Sequence, residues 1–490
     1  MPGGIKILLV DAQDRQRSAE QEPAIGKETM AMGKQRATEI ALTNELVRRA
    51  LDIRHEDLPL AVRQVSRDSL ADWLACTLAG REEPGSRIVA QALLEEGGAA
   101  QAILIGDGAR VSVAQAALAN GTASHALDYD DVNLALPGHP GVAIFPAVVA
   151  LADYLDVSGP ALYAAFVAGY ETACRIGVLL APGHYARGFH ATATIGSLGA
   201  AVACAHLLKL SAEQTCHALG VAATQAAGLK SMFGGMAKPL HAGMAAQTGA
   251  RAALLARKGF VSRLDAIECL QGFADTHGDD FRVDEALADP PGGYHLLGNL
   301  FKFHAACFST HSTIEAVRDL RHMHALQAAD ITAIDVVAGD ACSICNIQEP
   351  ATALEAKFSL RAAASFALLD IDTARLDTWG RVAESDIKAM MRRVRVTLVP
   401  GMSLSAAAVT LHTQSGASFR KDVDAGVPLS DKTQQSRRVE EKFLAVTAPF
   451  LNPNQGRRIL ASLDTLQGAG RPRDFLALLH QEIDRGDISK

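Results

Sequence analysis

The chain has 490 residues, 49% of them hydrophobic but only 5% aromatic, with a formal net charge of −7 and an isoelectric point near 6.1. That length exceeds one compact core, so two or three domains are expected, and the acidic balance argues against a general nucleic-acid binder. The apolar content is weighted towards Ala and Gly, which favours closely packed helices over a β-sandwich richer in Val, Ile, Tyr and Phe.

In chain order, residues 1–38 read as a poorly ordered extension. A short apolar run, Ile5 to Val10, is followed by a Gln- and Glu-rich stretch, and Met30 and Met32 are alternative starts. No secretory signal is evident, so a cytoplasmic setting with reduced thiols is expected. Residues 39–300 read as the first part of a helical domain. Leu46–Leu60, Val62–Leu78 and Ser112–Ala126 carry apolar spacings of three and four. Alanine-rich helical segments follow at Gly141–Leu155, Gly159–Gly177, Thr192–Leu210, Ala212–Ala227 and Gly243–Lys258. Gly188 to Leu207 contains no Asp, Glu, Lys or Arg and is long enough to span a bilayer. His190, Thr192, Thr194, Ser197 and His206 make it a buried helix of a bundle instead, so no membrane association is expected.

Residues 301–442 change character. Ile331–Val337 and Val394–Val399 are β-rich, Ala406–Thr413 and Ser418–Val423 flank a hairpin turn at Gln414-Ser415-Gly416-Ala417, and Glu355–Leu369 has a helical pattern. An inserted α+β domain follows, and residues 443–490 return to the helical domain. The expected fold class is mainly α with a smaller α+β domain. Of eight cysteines only Cys342 and Cys345 form a C-x-x-C pair, which alone cannot complete a zinc or iron–sulfur site.

Three segments share one physical feature. His139-Pro140, Lys238-Pro239 and Gly188-Phe189-His190 each precede an apolar run. Proline favours the first helical turn and pushes its predecessor out of the α region. His139 and Lys238, and with them His190, are therefore expected just before helix N-termini, where free N–H groups favour anions. Taken singly, such residues are commonly solvent-exposed caps; together they suggest a receptacle for carboxylates. Upstream of His139 lies Leu127-Asp128-Tyr129-Asp130-Asp131. Acidic clusters are usually solvated surface, but carboxylates beside an imidazole hold its tautomer and raise its pKa, as a proton-transfer group needs. No spacing in this region supports a metal site. At the domain junction, Lys302 lies in Gly298-Asn299-Leu300-Phe301-Lys302-Phe303-His304, followed by Cys307 and His311. A cation at such a hinge can reach a ligand in the cleft.

The stretches HALDYDDVNLALPGHP, GHYARGFHATATIGSLGAA, GGMAKPLHAGMAA, FKFHAACFSTH and EAKFSL resemble, in order and over roughly residues 40–485, the MmgE/PrpD family of 2-methylcitrate dehydratases, cis-aconitate decarboxylases and an iminodisuccinate epimerase. The resemblance implies a helical domain with a smaller α+β lid, usually in a homodimer, and a site between them that needs neither metal nor cofactor. Asp128, His139, His190, Lys238 and Lys302 match the family's active-site positions. Two departures stand out. Val132 replaces a threonine that decarboxylases carry after the acidic pair, and Ala362 replaces a tyrosine after the FSL-like stretch. GHYARGFHAT is closer to the epimerase-like side.

The expected activity is that of a lyase on a small polycarboxylate, dehydratase-like or decarboxylase-like, working by proton transfer next to a carboxylate. Lys238, Lys302 and helix N–H groups hold carboxylates, with Arg187 as a bidentate partner. His139 or His190 moves the proton, Asp128 orients an imidazole, and the cations stabilise enolate-like charge. The alternatives are an iminodisuccinate epimerase-like isomerase and a non-catalytic carboxylate-binding protein.

Overall fold

Serine and proline mark the helix starts. In the computed structural model, which describes residues 32–487, the side chains of Ser112, Ser158 and Ser211 accept from backbone N–H groups of the first turn that follows, satisfying donors a helix leaves orphaned. The helices that frame the first part are α1 (Leu60–Gly80), α2 (Val113–His125), α3 (Pro140–Leu155), α4 (Gly159–Leu179), α5 (Ala191–Leu207), α6 (Ala212–Ala223) and α7 (Ala237–Arg257). The expected helix over Leu46–Leu60 is shorter, Leu42–Leu51, because Pro59 ends the intervening loop and starts α1.

Small residues set how closely these helices approach. α7 packs against both α2 and α5, and α5 also against α4. A Cβ on Gly121 of α2 would lie 2.7 Å from the Cα of Gly243 in α7, and one on Gly243 would lie 2.2 Å from the carbonyl oxygen of Leu118. On the other side of α7, a Cβ on Gly249 would lie 2.4 Å from that of Ala200 in α5. The abundance of Ala and Gly thus serves backbone-to-backbone contact, and the charge-free α5 is buried along almost its whole length. Among the described residues no helix is long and apolar enough to cross a membrane.

After α8 (His311–His324) comes a four-stranded sheet of β1 (Ile331–Gly339), β2 (Val394–Val399), β3 (Ala406–Thr413) and β4 (Ser418–Asp424). Its order is β2-β1-β3-β4, parallel between β1 and β2 and antiparallel elsewhere. α8 covers β3 and β4, while α9 (Leu360–Leu368) packs on α8 and β2. The expected single helix over Glu355–Leu369 is two, Ala353–Lys357 and α9, because the Ser359 side chain caps the second by accepting from the N–H of Ala362. The chain closes with α10 (Lys432–Thr447), α11 (Pro453–Gly468) and α12 (Pro472–Asp487).

Two expected boundaries need correction. The return to the helical part at 442/443 falls inside α10, which begins at an Asp431 cap and packs against α1; its buried Val439, Phe443 and Val446 are diluted by a polar first half. The extension expected over 1–38 lies mostly outside the described residues, but 32–38 within it are helical, with Lys34 paired to Asp275.

Because neither helix can give way at the Gly121–Gly243 crossing, Gly243→Val should lower the unfolding free energy by about 1–3 kcal/mol. Urea denaturation of the two proteins measures this directly, and an unchanged midpoint would mean that α2 and α7 separate without cost.

Candidate active site

A tight loop after α2 is the base of the site. Asp128 adopts φ +50°, a left-handed conformation that costs a non-glycine residue energy and is tolerated best by Asp and Asn. Its neighbours hold it there. The N–H of Asp128 bonds the carbonyl of His125 at 3.1 Å, Lys302 Nζ donates to the carbonyl of Asp128 at 2.5 Å, and Lys442 of α10 donates to the carbonyl of Tyr129 at 2.6 Å. Lys442 also pairs with Asp72 of α1, both almost fully buried. Asp131 Oδ1 accepts from the N–H of Gly141 at 3.1 Å, tying the loop to the start of α3. An antiparallel bridge between Val132 and Leu300 brings the segment carrying Lys302 alongside.

The Asp128 carboxylate gathers the cations. Its Oδ1 lies 2.9 Å from Lys238 Nζ, 3.0 Å from Lys302 Nζ and 3.5 Å from His139 Nε2. Burial alone would raise its pKa, but Lys238 and Lys302 override that and hold it well below the usual carboxylate range. Burial works against the charge of Lys302, and Asp128 with Asp130 more than restores it. The Lys302 side chain is only 3% exposed and that of Lys238 15%, whereas that of Asp128 is 42% exposed, so the cluster opens on the carboxylate side.

Behind it stand the imidazoles. Asp130 accepts from His125 Nδ1 at 2.9 Å, and its other oxygen lies 2.9 Å from His139 Nδ1, though off line for a hydrogen bond. The His125 ring is 4.7 Å from that of His139 and stacks on that of His190 at 5.8 Å. His139 and His190 are the N-cap residues of α3 and α5, and the two helix starts are linked by the N–H of His139 donating to Thr192 Oγ1 at 3.0 Å. His190 Nδ1 lies 3.2 Å from Nδ1 of His241, while its Nε2 is buried with no hydrogen-bond partner. Phe233 meets the His190 ring edge-on at 5.0 Å.

The structure therefore brings Asp128, His139, His190, Lys238 and Lys302 into one cluster, with three differences from the sequence reading. Lys238 is not before its helix; α7 starts at Ala237 after a Met236 cap, and Pro239 is accommodated inside the first turn, where a missing N–H costs nothing. Arg187 is not brought to the cluster; its guanidinium forks onto Asp279 and donates to the carbonyl of Thr276. His125, His241 and Lys442 were not singled out. His241 stands one helical turn after Lys238, a spacing that places two side chains on one face and could have revealed it.

Among the described residues, His125, Asp128, Asp130 and His139 are the one group whose donor atoms, all within 4.8 Å of one another, could surround a metal ion. Lys238 and Lys302 already supply the positive charge that this carboxylate calls for. The cysteines are free; Cys345 close by, with Lys302, draws the Cys307 thiol below its usual range against the effect of burial.

Neutral imidazoles make stability depend on pH. Burial pushes His125 down to about 4 against the pull of Asp130, and His184 down to about 4 against the pull of the His277 carbonyl. In the unfolded chain both titrate near their ordinary 6.5, so between those values the unfolded state binds more protons. The stability that these two histidines contribute is complete above about pH 6.5 and is lost as pH drops towards 4, by up to about 1.4 kcal/mol per pH unit for each, while Asp68, Asp72 and Glu171, which burial raises to about 6, 6 and 7, act in the opposite sense over the same window. Between pH 7 and pH 5 the urea midpoint of the wild type should fall relative to that of His125→Asn; a difference that does not change with pH would mean that the His125 imidazole is not kept neutral.

The profile of the MmgE/PrpD N-terminal domain matches residues 44–286, and that of the MmgE/PrpD C-terminal domain matches residues 304–467. A cis-aconitate decarboxylase-like protein of Aspergillus oryzae is 30% identical over 296 residues, covering 57% of this chain and 61% of that protein. The cis-aconitate decarboxylase of Aspergillus terreus is 29% identical over 311 residues, 60% of this chain and 63% of its own. The human cis-aconitate decarboxylase is 26% identical over 365 residues, 70% and 74% respectively. The matches thus span about three fifths of the length of the two fungal relatives. With both halves matched by the family's two domain profiles, the chain belongs to the MmgE/PrpD family.

Proposed function

We propose that this protein is a lyase for a small polycarboxylic acid, decarboxylating or dehydrating it by proton transfer at a carbon next to a carboxylate. The observation that carries this reading is the Asp128 oxygen shared by two ammonium groups beside the imidazole of His139. Two cations face one carboxylate there, while Asp130 is engaged by imidazoles. At an effective dielectric constant near 20, a carboxylate about 3 Å from an ammonium gains on the order of 5 kcal/mol before desolvation. A substrate carboxylate entering on the exposed side of Asp128 meets Lys238 and Lys302, with the starts of α3 and α5 adding partial positive charge. Charge that develops on the substrate as an enolate is stabilised by the same groups, and His139 and His190 are the proton carriers.

The names of the relatives support decarboxylation of cis-aconitate as the first reaction to test. The GHYARGFHAT stretch, which resembles the epimerase-like side of the family, favours a second reading, isomerisation of an iminodisuccinate-like acid through the same proton abstraction, while Val132 and Ala362 weigh against an orthodox decarboxylase because they depart from the threonine and tyrosine of the decarboxylases that this sequence resembles.

Proton NMR in deuterated water with cis-aconitate, 2-methylcitrate and iminodisuccinate separates these outcomes. Turnover, or solvent deuterium in recovered substrate, is expected with one of them. His190→Ala should reduce kcat by about 10²–10⁴-fold while the fold is kept, and Lys238→Ala should both raise KM and lower kcat. A folded protein that neither converts nor exchanges any of these acids sinks the proposal.

A further inference from the structure

The pairing of His190 with His241 has a role that the proton-transfer reading, on which this inference rests, does not assign. His241 lies on α7 with its side chain half-buried, whereas His190 is only 2% exposed. Their Nδ1 atoms are 3.2 Å apart, so one ring donates and the other accepts. The backbone fixes the geometry from both sides. The N–H of His190 bonds the carbonyl of Gly228 at 3.0 Å, and at Gly228 a Cβ would lie 2.5 Å from that of Ala193 and 3.6 Å from His241 Nδ1.

The direction of the bond follows from the other nitrogen. His190 Nε2 is buried without a partner. A buried N–H with no acceptor is costlier and rarer than a bare acceptor. His190 therefore carries its proton on Nδ1, donates it to Nδ1 of His241, and presents a lone pair at Nε2. His241 then carries its own proton on Nε2, and the residue is only partly buried. Burial, with His125, Lys238 and His139 close by, also pulls the pKa of His190 far down, so an imidazolium at this position is unfavourable.

We propose that His241 is a positioning residue that sets the tautomer of His190 and relays its proton to solvent. As a substrate C–H bond breaks, its electron pair stays on carbon as the enolate and the proton bonds to His190 Nε2. The Nδ1–H proton of His190 moves to the Nδ1 lone pair of His241, whose Nε2–H proton is released to water. His190 stays neutral throughout, and the reverse sequence delivers a proton to carbon.

The test uses the full-length protein and His241→Gln, whose side chain can still accept from His190 Nδ1–H but cannot pass a proton on. In [15N]histidine-labelled wild type, long-range proton–nitrogen spectra should show His190 as the Nδ1–H tautomer and His241 as the Nε2–H tautomer, a measurement that needs no substrate; His190 protonated on Nε2 overturns the inference. In the deuterium-exchange assay, His241→Gln should lower the exchange rate and kcat at least tenfold with KM within about twofold, and added imidazole should restore part of the rate. Exchange as fast as wild type in the folded variant overturns the relay while leaving the lyase reading intact. Loss of exchange in the wild type, with the tautomers as stated, overturns the lyase reading instead.

Discussion

Asp128 Oδ1 sits 2.9 Å from one ammonium group and 3.0 Å from another, and the rest of the site is arranged around that shared oxygen. Lys302 is nearly buried and Lys238 mostly so. A buried cation that loses its partner costs several kcal/mol, so neither lysine would stay in place without the carboxylate. The carboxylate in turn reaches both only because residue 128 accepts a left-handed backbone. Lys302, Lys442 and Gly141 pin the loop through the carbonyls of Asp128 and Tyr129 and the side chain of Asp131. The strain is local; the elements that hold it come from the α3 start, the segment after Leu300 and α10.

That dependence explains the unusual closeness of the helices. Lys238 opens α7, His125 closes α2 and His190 caps α5. For three side chains of modest length to meet, their helix axes must approach until backbones touch, which Gly121, Gly243, Gly249 and Ala200 allow. The small residues at these crossings thus serve the cluster as well as the packing of the helices. Bulkier side chains at these crossings would fill the same volume with apolar contacts and move the charges apart.

Much of this was legible because its signals are local. Proline after His139, the apolar spacings of three and four and the β-rich runs each report on a few neighbouring residues, and α3, α2 and the sheet stand within one or two residues of where the sequence places them. What could not be read depends on distant partners. Lys442 looks like one more charge in a polar helix until Asp72 and Tyr129 surround it. Arg187, adjacent to the His190 segment, is drawn away by Asp279. His125 ends an apolar helix in which nothing nearby in sequence announces the stacking of its ring on His190. The Lys238-Pro239 pair misled for a different reason, since the rule that displaces a residue before proline is a preference, and α7 begins one residue ahead of Lys238 regardless.

Val132 shows where members of this family can differ without disturbing that framework. Its N–H and carbonyl both pair with Leu300 at 2.8 Å, so the backbone bridge that positions Lys302 is indifferent to the side chain. A threonine at this point, as in the decarboxylases that the sequence resembles, adds a hydroxyl donor that valine lacks. One hydrogen bond contributes about 0.5–1.5 kcal/mol, or about 1.5–3 kcal/mol to a charged partner. That corresponds to a factor of a few up to about a hundred in rate. A change of this size is large enough to matter to a ligand bound there, and it leaves untouched the lysines, the shared carboxylate and the histidines of the cluster.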